Sequence, residues 1–445
     1  MQINQIQNFA QTGLASFRGT VNLKQSFAQN PLINFKGQNK DTVDFKHKKP
    51  EILIGSLPDN LAETISDIIK NPNDYKPYGK GGTANVYKIQ ANNKTYAIKI
   101  ANDKHNTEMA DGAAILEKLP EKMKKGGQKL YAYGKLNGRE FLVTNLVHGT
   151  SDKPAVSKEQ LKSLLMDNIL ELDKAGIMHN DLWMPNIMVD KNSVNLIDYD
   201  YAKMFNPLTS SDNRVPGNIS LNSNLFDFEM LGLETYINYL DKTNTGEAKV
   251  FFKNYLEVKS EFHKKRAEFL ENALKKEKTL TPKDIKRVKN SIEYEKALSA
   301  VFKNPDDDIM DLEAKRVQML YSFNWANKNA HFKKPTDAAQ CWMRTVIYAK
   351  QYEDSVISLS QTSDDENMQK YLGFQKEYAK FYTDTFAKWG KDTINWLFDV
   401  FSSRKPLSDY DKEVYQNGIE NPISQLHQGF KQYDDISDLY DIIMK

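Results

Sequence analysis

One short stretch of the chain constrains its fold and its chemistry more than any other. Asn186 lies five residues after Asp181, which follows His179 closely, and an apolar strand then ends at Asp198. Segment 190–193 is Asp-Lys-Asn-Ser, which is typical of a turn between two strands. Carboxylate and carbonyl oxygens suit a hard cation such as Mg²⁺, which proteins hold through one or two such groups together with substrate phosphates. The spacing therefore predicts a magnesium–phosphate site, with a further oxygen group that orients an attacking hydroxyl.

This stretch resembles the catalytic loop of protein kinases, which has the form H-x-D-L-x-x-x-N and is followed on the next strand by a D-F-G aspartate. In this chain Asn180 replaces the usual arginine, and Tyr199-Asp200 replaces Phe-Gly. The resemblance implies that Asp181 accepts or orients the substrate hydroxyl, as the catalytic aspartate does in that family. It also implies that Asn186 and Asp198 hold Mg²⁺.

A second resemblance concerns segment 79–86, which reads Gly-Lys-Gly-Gly-Thr-Ala-Asn-Val and is similar to the kinase loop G-x-G-x-x-G-x-V. Glycines allow backbone N–H groups to approach phosphate oxygens closely. Segments 86–90 and 95–100 alternate apolar and polar residues around an Asn-Asn turn, which predicts a hairpin. The second strand carries Tyr-Ala-Ile-Lys, similar to the V-A-I-K whose lysine holds the α- and β-phosphates. The resemblance implies that ATP is bound by Gly79, Gly81, Gly82, Val86 and Lys99.

In the same family the strand lysine pairs with an acidic residue on the following helix, predicted here over residues 106–119. Gly112 stands where that acid is expected. Glu108, four residues earlier on the same helical face, is the preferred partner of Lys99, and Asp111 is the next candidate.

Segment 141–149 resembles the strand and hinge that receive adenine. Thr144 stands at the gatekeeper position, and the resemblance implies that backbone groups from Asn145 to Val147 bind the base. Segment 225–233 resembles the D-x-W-S-x-G helix of the large lobe. Asp227 would anchor the catalytic-loop backbone and Gly232 would allow close packing, while His179 is expected to be structural.

Three departures from the protein-kinase pattern leave open whether the phosphoryl acceptor is a protein or a small molecule. Asn180 replaces the arginine that reads a phosphorylated activation loop, Trp183 replaces the lysine of Ser/Thr kinases, and A-P-E is missing. The segments 179–182 and 197–202 also resemble H-N-D-L and I-D-[FW]-E-Y-[AS] of choline kinases. The preferred function is a Ser/Thr protein kinase that uses ATP and Mg²⁺. The alternatives are a small-molecule kinase of the choline- or aminoglycoside-kinase type and an inactive kinase-fold scaffold.

Composition narrows the class of protein. The formal net charge of +2 over 445 residues gives no indication of a nucleic-acid partner. The single cysteine, Cys341, excludes an internal disulfide framework and a multi-cysteine zinc site. The chain has no apolar run of the roughly 18 residues that a transmembrane helix needs, and no secretory signal pattern. We expect a cytoplasmic protein, with export as an effector as the alternative.

The order of elements predicts an α+β protein, with strands first and helices afterwards. Residues 1–50 are polar and have no acidic residue before Asp41, which favours a disordered tail or a targeting segment. The resemblance implies a two-lobed protein-kinase-like fold, with a sheet-rich N-lobe over 51–149 and a helical C-lobe over 150–330. Residues 331–445 are predicted to form an extra helical region.

Two features of the helical part are interpreted as structural. The Lys/Arg-rich stretch over 250–300 has interleaved glutamates, which is typical of a solvated helical face; a docking patch for an acidic partner is the alternative. The aromatic stretch over 371–401 has spacings of three and four residues, which predicts core packing along one face of a helix.

Overall fold

The computed structural model describes residues 51–57, 61–102, 108–243, 247–331 and 335–404. They form two compact units. The first contains the described chain up to Leu119 together with Lys124–Val147 and Tyr199–Tyr201. The second contains Pro120–Met123, His148–Asp198 and the described chain from Ala202 onward. Helices on both sides of the predicted boundary at residue 330 belong to this second unit, and the predicted tail, 1–50, lies outside the described residues.

The first unit is built on a six-stranded antiparallel sheet, which bears out the α+β prediction for the N-terminal part. Its strand order is β1-β5-β6-β4-β3-β2. The strands are β1 (Glu51–Gly55), β2 (Gly79–Lys80), β3 (Ala84–Ala91), β4 (Lys94–Ala101), β5 (Leu130–Leu136) and β6 (Arg139–Asn145). Three helices lie along this part of the chain: α1 (Leu61–Lys70), α2 (Glu108–Lys118) and α3 (Glu121–Gly126).

The predicted β3–β4 hairpin is confirmed. Asn92 and Asn93 both have positive φ, at 51° and 58°. Positive φ at both central residues is the turn geometry that matches the twist of a two-residue hairpin. Ile98 and Ile100 are buried in the core that also contains Leu61 and Ile65 of α1. Because side chains alternate along a strand, Lys99 lies on the opposite face of the sheet.

The second unit is mostly helical, as predicted for the C-terminal part. A helix runs from Lys158 to Ala175 as α4 (Lys158–Lys162), a π-helical segment (Ser163–Ile169) and α5 (Leu170–Ala175). Short strands follow: β7 (Ile177–Met178), β8 (Ile187–Val189), β9 (Val194–Leu196) and β10 (Lys203–Met204). The later helices are α6 (Asn224–Phe228), continued by a π-helical segment (Glu229–Leu233), then α7 (Glu234–Thr243), α8 (Glu247–Lys276), α9 (Pro282–Val301), α10 (Asp307–His331), α11 (Pro335–Thr362) and α12 (Glu366–Arg404).

Both ends of the helix from Lys158 to Ala175 follow their sequence signals. Ser157 and Gln160 form a capping box, in which each side chain accepts a backbone N–H of the other residue. Gly176 ends the helix in the left-handed conformation with φ of 65°, and a Cβ there would lie 2.4 Å from the carbonyl oxygen of Phe205. The helix therefore ends immediately before β7 and the loop that carries His179.

The aromatic stretch packs in the core where its side chains are described. Tyr371, Tyr378 and Tyr382 of α12 are almost fully buried, and Phe374 and Phe381 pack beside them. The stretch also contains Phe386, Trp389, Trp396 and Phe398, whose side chains lie outside the described residues. Among the described helices, none combines the length and apolar character needed to cross a lipid bilayer.

The interpretation of the basic stretch as wholly solvated is wrong for part of it. Lys264 and Lys265 are exposed, but Lys259, His263 and Arg266 are buried. These three lie three or four residues apart, so the helical period places them on the inner face of α8. Charge composition alone does not reveal this, because both faces of α8 carry basic residues.

Candidate functional site

Asp181 and Asn186 are hydrogen-bonded to each other in the second unit. The Asn186 amide nitrogen donates to the Asp181 carboxylate at 2.6 Å and to the Asp181 carbonyl at 3.0 Å. A single turn of 3₁₀ helix, Met184–Asn186, brings the two residues together, and both are buried. Since the amide nitrogen faces Asp181, its carbonyl oxygen points away and can serve as a cation ligand.

The β8–β9 hairpin fixes Asn186 relative to the segment that carries Asp198. The Asp190 N–H donates to the Ser193 carbonyl at 2.9 Å, which confirms the predicted turn. Beyond the hairpin, the Ile197 N–H donates to the Asn186 carbonyl at 3.0 Å. Asp198 itself is half-buried and has φ of 65°.

Two residues of this region have backbones in the sparsely populated left-handed region. Asn180 has φ of 60° and Asp198 has φ of 65°. Asn and Asp are enriched in this region relative to other non-glycine residues. Such strained conformations persist only where surrounding contacts impose them, and they cluster at functional sites. The strain therefore marks the same loop and strand end that the sequence singles out.

His179 is fully buried beneath the loop. Its Nε2 atom lies 3.1 Å from the Ile197 carbonyl oxygen, and its backbone N–H donates to the Asn224 side chain at 2.8 Å. Burial lowers the pKa of His179 to about 4, although the nearby Asp198 carboxylate opposes the shift. A neutral imidazole held in this way suits a structural role.

The predicted anchoring role of Asp227 falls instead to Asn224. Asn224 begins α6, and its side-chain oxygen accepts the N–H of His179. Asp227 lies nearly one turn later and forms an ion pair with Arg214 at 2.6 Å. Residues three apart lie on nearly the same face of a helix, so the different partners of Asn224 and Asp227 reflect the neighbours at each level of the helix.

Asn224 is held in turn by a buried carboxylate. Its backbone and side-chain N–H groups both donate to the Asp173 Oδ1, at 2.9 Å and 2.7 Å. The Asp173 Oδ2 lies 3.4 Å from the Nε of Arg266 on α8. Arg266 also pairs with Glu295 of α9, and all three charged groups are buried. A continuous polar chain thus joins the His179 loop to α8 and α9.

Gly232 confirms the prediction of close packing. A Cβ at this position would lie 3.0 Å from the carbonyl oxygen of Leu182, next to Asp181, and 3.1 Å from the ring of Phe228. The glycine lies in the π-helical segment that continues α6. Its lack of a side chain lets this helix approach the backbone of the loop.

The two predicted metal ligands are of the chemical type that binds Mg²⁺. Among the described residues there is no cluster of three or more His, Cys, Asp or Glu side chains arranged to hold a metal. The predicted ligands are one amide oxygen, from Asn186, and one carboxylate, from Asp198. Mg²⁺ is commonly held by one or two such groups, with water and phosphate oxygens completing its shell.

The glycine-rich turn belongs to the first unit. The Gly81 N–H donates to the Ala84 carbonyl at 2.9 Å and closes the turn between β2 and β3. The Asn102 side chain donates to the carbonyls of Gly81 and Gly82, at 3.2 Å and 3.1 Å. Val86 lies directly across the sheet from Gly79 on one side and from Lys99 on the other. The residues predicted to bind phosphates are therefore joined by adjacent strands.

Lys99 pairs with an acid that the sequence argument did not select. Its Nζ lies 2.8 Å from the Asp200 carboxylate. The side chain of the preferred candidate, Glu108, lies outside the described residues. Asp111, the second candidate, is exposed. Gly112 is buried against Asp200, and a Cβ there would come within 3.1 Å of the Asp200 backbone.

Two backbone N–H groups of the predicted hinge donate hydrogen bonds to neighbouring segments of the protein. The Asn145 N–H donates to the Lys129 carbonyl and the Leu146 N–H to the Thr95 carbonyl, both at 3.2 Å. The Asn145 side chain also donates to the Gly127 carbonyl at 2.9 Å. Asn145 therefore links β6 to the loop before β5. Val147, the last residue of the predicted hinge, has a buried side chain.

Comparison with models of known protein families and with curated proteins finds no match. The case for function therefore depends on the residues and their contacts. Besides Asp200 as the partner of Lys99, three participants were not selected from the sequence: Asp173, Asn224 and Arg266. The available signal was weak, since Asn224 follows the N-cap Ser223 and Arg266 lies within a run of basic residues.

Replacing Arg266 with methionine should destabilise the protein. The change leaves Asp173 and Glu295 buried without the guanidinium, and breaking a buried ion pair costs about 3–5 kcal/mol. The free energy of unfolding can be measured by urea denaturation. Lys296→Met is a matched control, because Lys296 pairs with Glu271 at 2.8 Å on the surface of the same helices. That control should lower the free energy of unfolding by about 1 kcal/mol or less. Equal losses in the two variants would show that Arg266 does not stabilise the protein through buried ion pairs.

His179 should give the stability a defined pH dependence. Its pKa is about 4 in the folded protein and near 6.5 ordinarily, so between these values the unfolded chain binds a proton that the folded protein does not. The free energy of unfolding should therefore fall as the pH falls from 6.5 towards 4, by roughly 3 kcal/mol from this group. His179→Gln should flatten that slope, whereas His148→Gln, at an exposed position, should not. If both variants kept the wild-type slope of unfolding free energy against pH, burial of His179 would not be the cause of that slope.

Proposed function

We propose that the protein is an ATP- and Mg²⁺-dependent phosphotransferase of the two-lobed protein-kinase-like fold, acting on a Ser/Thr hydroxyl of a protein. The observation that carries the proposal is the pair of hydrogen bonds from Asn186 to the carboxylate and carbonyl of Asp181. This contact fixes the candidate base beside the candidate cation ligand. An acidic strand end at Asp198 and a strand lysine at Lys99 complete the set of groups that phosphoryl transfer needs.

Each group has a stated task in the proposed reaction. The Asp181 carboxylate accepts the proton of the acceptor hydroxyl as the hydroxyl oxygen forms a bond to the γ-phosphorus. The bond between that phosphorus and the β,γ-bridging oxygen breaks, and ADP leaves with the electron pair. Asn186 and Asp198 would hold Mg²⁺, which would supply positive charge to the phosphates. Lys99 meets the α- and β-phosphates, and the turn at Gly79–Gly82 offers backbone N–H groups.

One observation favours a small-molecule acceptor as the second candidate. Trp183, two residues after Asp181, is half-buried, so part of its side chain is open to solvent. A tryptophan face attracts quaternary or primary ammonium groups through the cation–π interaction. An amine-bearing alcohol such as choline or an aminoglycoside is therefore the alternative substrate class.

The metal-binding role of Asp198 can be tested by thermal denaturation. A non-hydrolysable ATP analogue with Mg²⁺ should raise the Tm of the protein, because a ligand at 100 times its Kd stabilises by about 2.7 kcal/mol. EDTA should reduce this stabilisation. Asp198→Asn keeps a side chain that tolerates the left-handed backbone but removes the charge, and it should lose most of the Mg²⁺-dependent rise.

Asp190→Ala is the control for this experiment, since Asp190 is an exposed acid in the neighbouring turn. It should respond to Mg²⁺ and nucleotide as the wild type does. Full stabilisation of Asp198→Asn would refute the assignment of Asp198. No stabilisation of the wild type would favour an inactive scaffold.

The acceptor class can be identified by label transfer from γ-labelled ATP. The protein should be incubated separately with a protein mixture, choline and aminoglycosides. Transfer to protein should fall by about 10²–10⁴-fold in Asp181→Asn, since the candidate base is removed. Lys99→Met should also reduce transfer. Label found in a small molecule alone would make the second candidate the correct one.

A further inference from the structure

The contact between Lys99 and Asp200 links two parts of the first unit that the sequence keeps far apart. Lys99 lies on β4 between β3 and β6, and its side chain is 16% exposed. Asp200 lies in the 3₁₀ turn Tyr199–Tyr201, and its side chain is 6% exposed. At 2.8 Å and with so little solvent, this contact is a charge-assisted hydrogen bond with a defined geometry.

Helix α2 is shaped to accept Asp200. Gly112 is buried, and a Cβ on it would lie 2.9 Å from the Asp200 Oδ1 and 3.1 Å from the Asp200 Cα and N. Two of those three atoms belong to the backbone and cannot rotate away. A residue larger than glycine would therefore push the turn away from the helix, and with it the carboxylate that meets Lys99.

These contacts explain a pair of departures that the sequence shows separately. Gly112 stands where the resemblance leads us to expect an acid, and Asp200 stands where it leads us to expect a glycine. In space the two positions face each other. Asp200 on the turn supplies the carboxylate, and Gly112 on the helix leaves space for it. The acid and the glycine have thus exchanged the positions that the resemblance leads us to expect.

We propose that Asp200 is a positioning residue for phosphoryl transfer, which holds the Lys99 ammonium where it meets the nucleotide phosphates. This inference rests on the proposed function. A lysine side chain is long and flexible and carries a point charge, so a fixed acidic partner determines where that charge lies. Asp200 comes two residues after Asp198 in the chain. One tripeptide thus supplies both the candidate metal ligand and the partner of the strand lysine.

The test is the kcat of label transfer from γ-labelled ATP to the acceptor that the wild type labels. It is measured for Asp200→Asn, a change that preserves the shape of the side chain and removes its charge. We expect kcat to fall about ten- to hundred-fold, because small misplacement of a catalytic group has effects of that size. The variant should stay folded, since the packing against Gly112 is retained, but its Tm should fall, because the Lys99 ammonium keeps little solvent and loses the charge of its partner. In the Lys99→Met background the same substitution should change kcat less than about two-fold, since no ammonium is left to position.

Asp167→Asn is the matched control, because Asp167 pairs with Lys122 at 2.7 Å but both side chains are at least half exposed. It should leave kcat unchanged. The proposal is overturned if Asp200→Asn retains wild-type kcat, or if the loss of kcat is the same in the Lys99→Met background, as a general loss of stability would produce. Failure of the proposed function is distinct, since the wild type would then transfer no label to any acceptor.

Discussion

Burial of one carboxylate, Asp173, is the constraint on which the candidate site depends most. The group is 2% exposed, and its burial raises its pKa while Arg266 opposes the shift. A buried charge must be satisfied by hydrogen bonds or by an opposite charge. Asn224 supplies two hydrogen bonds and Arg266 the charge. Asn224 can then present its side-chain oxygen to the His179 N–H in only one orientation, which fixes the start of the loop.

A second network of buried ion pairs holds the later helices of the second unit together. Glu229, just after α6, contacts Lys259 of α8 at 2.6 Å and Arg316 of α10 at 2.8 Å. Glu313 of α10 contacts both cations and accepts a hydrogen bond from Tyr371 of α12. Replacing such networks with apolar groups is often neutral, whereas removing one member is costly. The network therefore specifies how α8, α10 and α12 pack.

Local signals predicted what depends on neighbouring residues in the chain. The Asn92-Asn93 turn, the capping box at Ser157 and the left-handed Gly176 follow from rules that act over a few residues. The approach of Asn186 to Asp181 is similar, because one 3₁₀ turn is enough to bring them together. Contacts between residues that are distant in the chain were harder to predict from the sequence. Neither the contact of Asn224 with His179 nor that of Asp200 with Lys99 was predicted, because the position of a residue in a motif says little about which side chain reaches it from another segment.

The sequence by itself determined the strand-then-helix order and the identity of the acidic and amide groups at 181, 186 and 198. These follow from periodicity and short spacing, which a linear chain displays directly. The tertiary structure alone decided that Asp200 meets Lys99 and that Gly112 makes room for it. It also decided that Arg266 is buried within a basic run. Each of these depends on which surfaces exclude water together, and that is set by packing between segments that are distant in the chain.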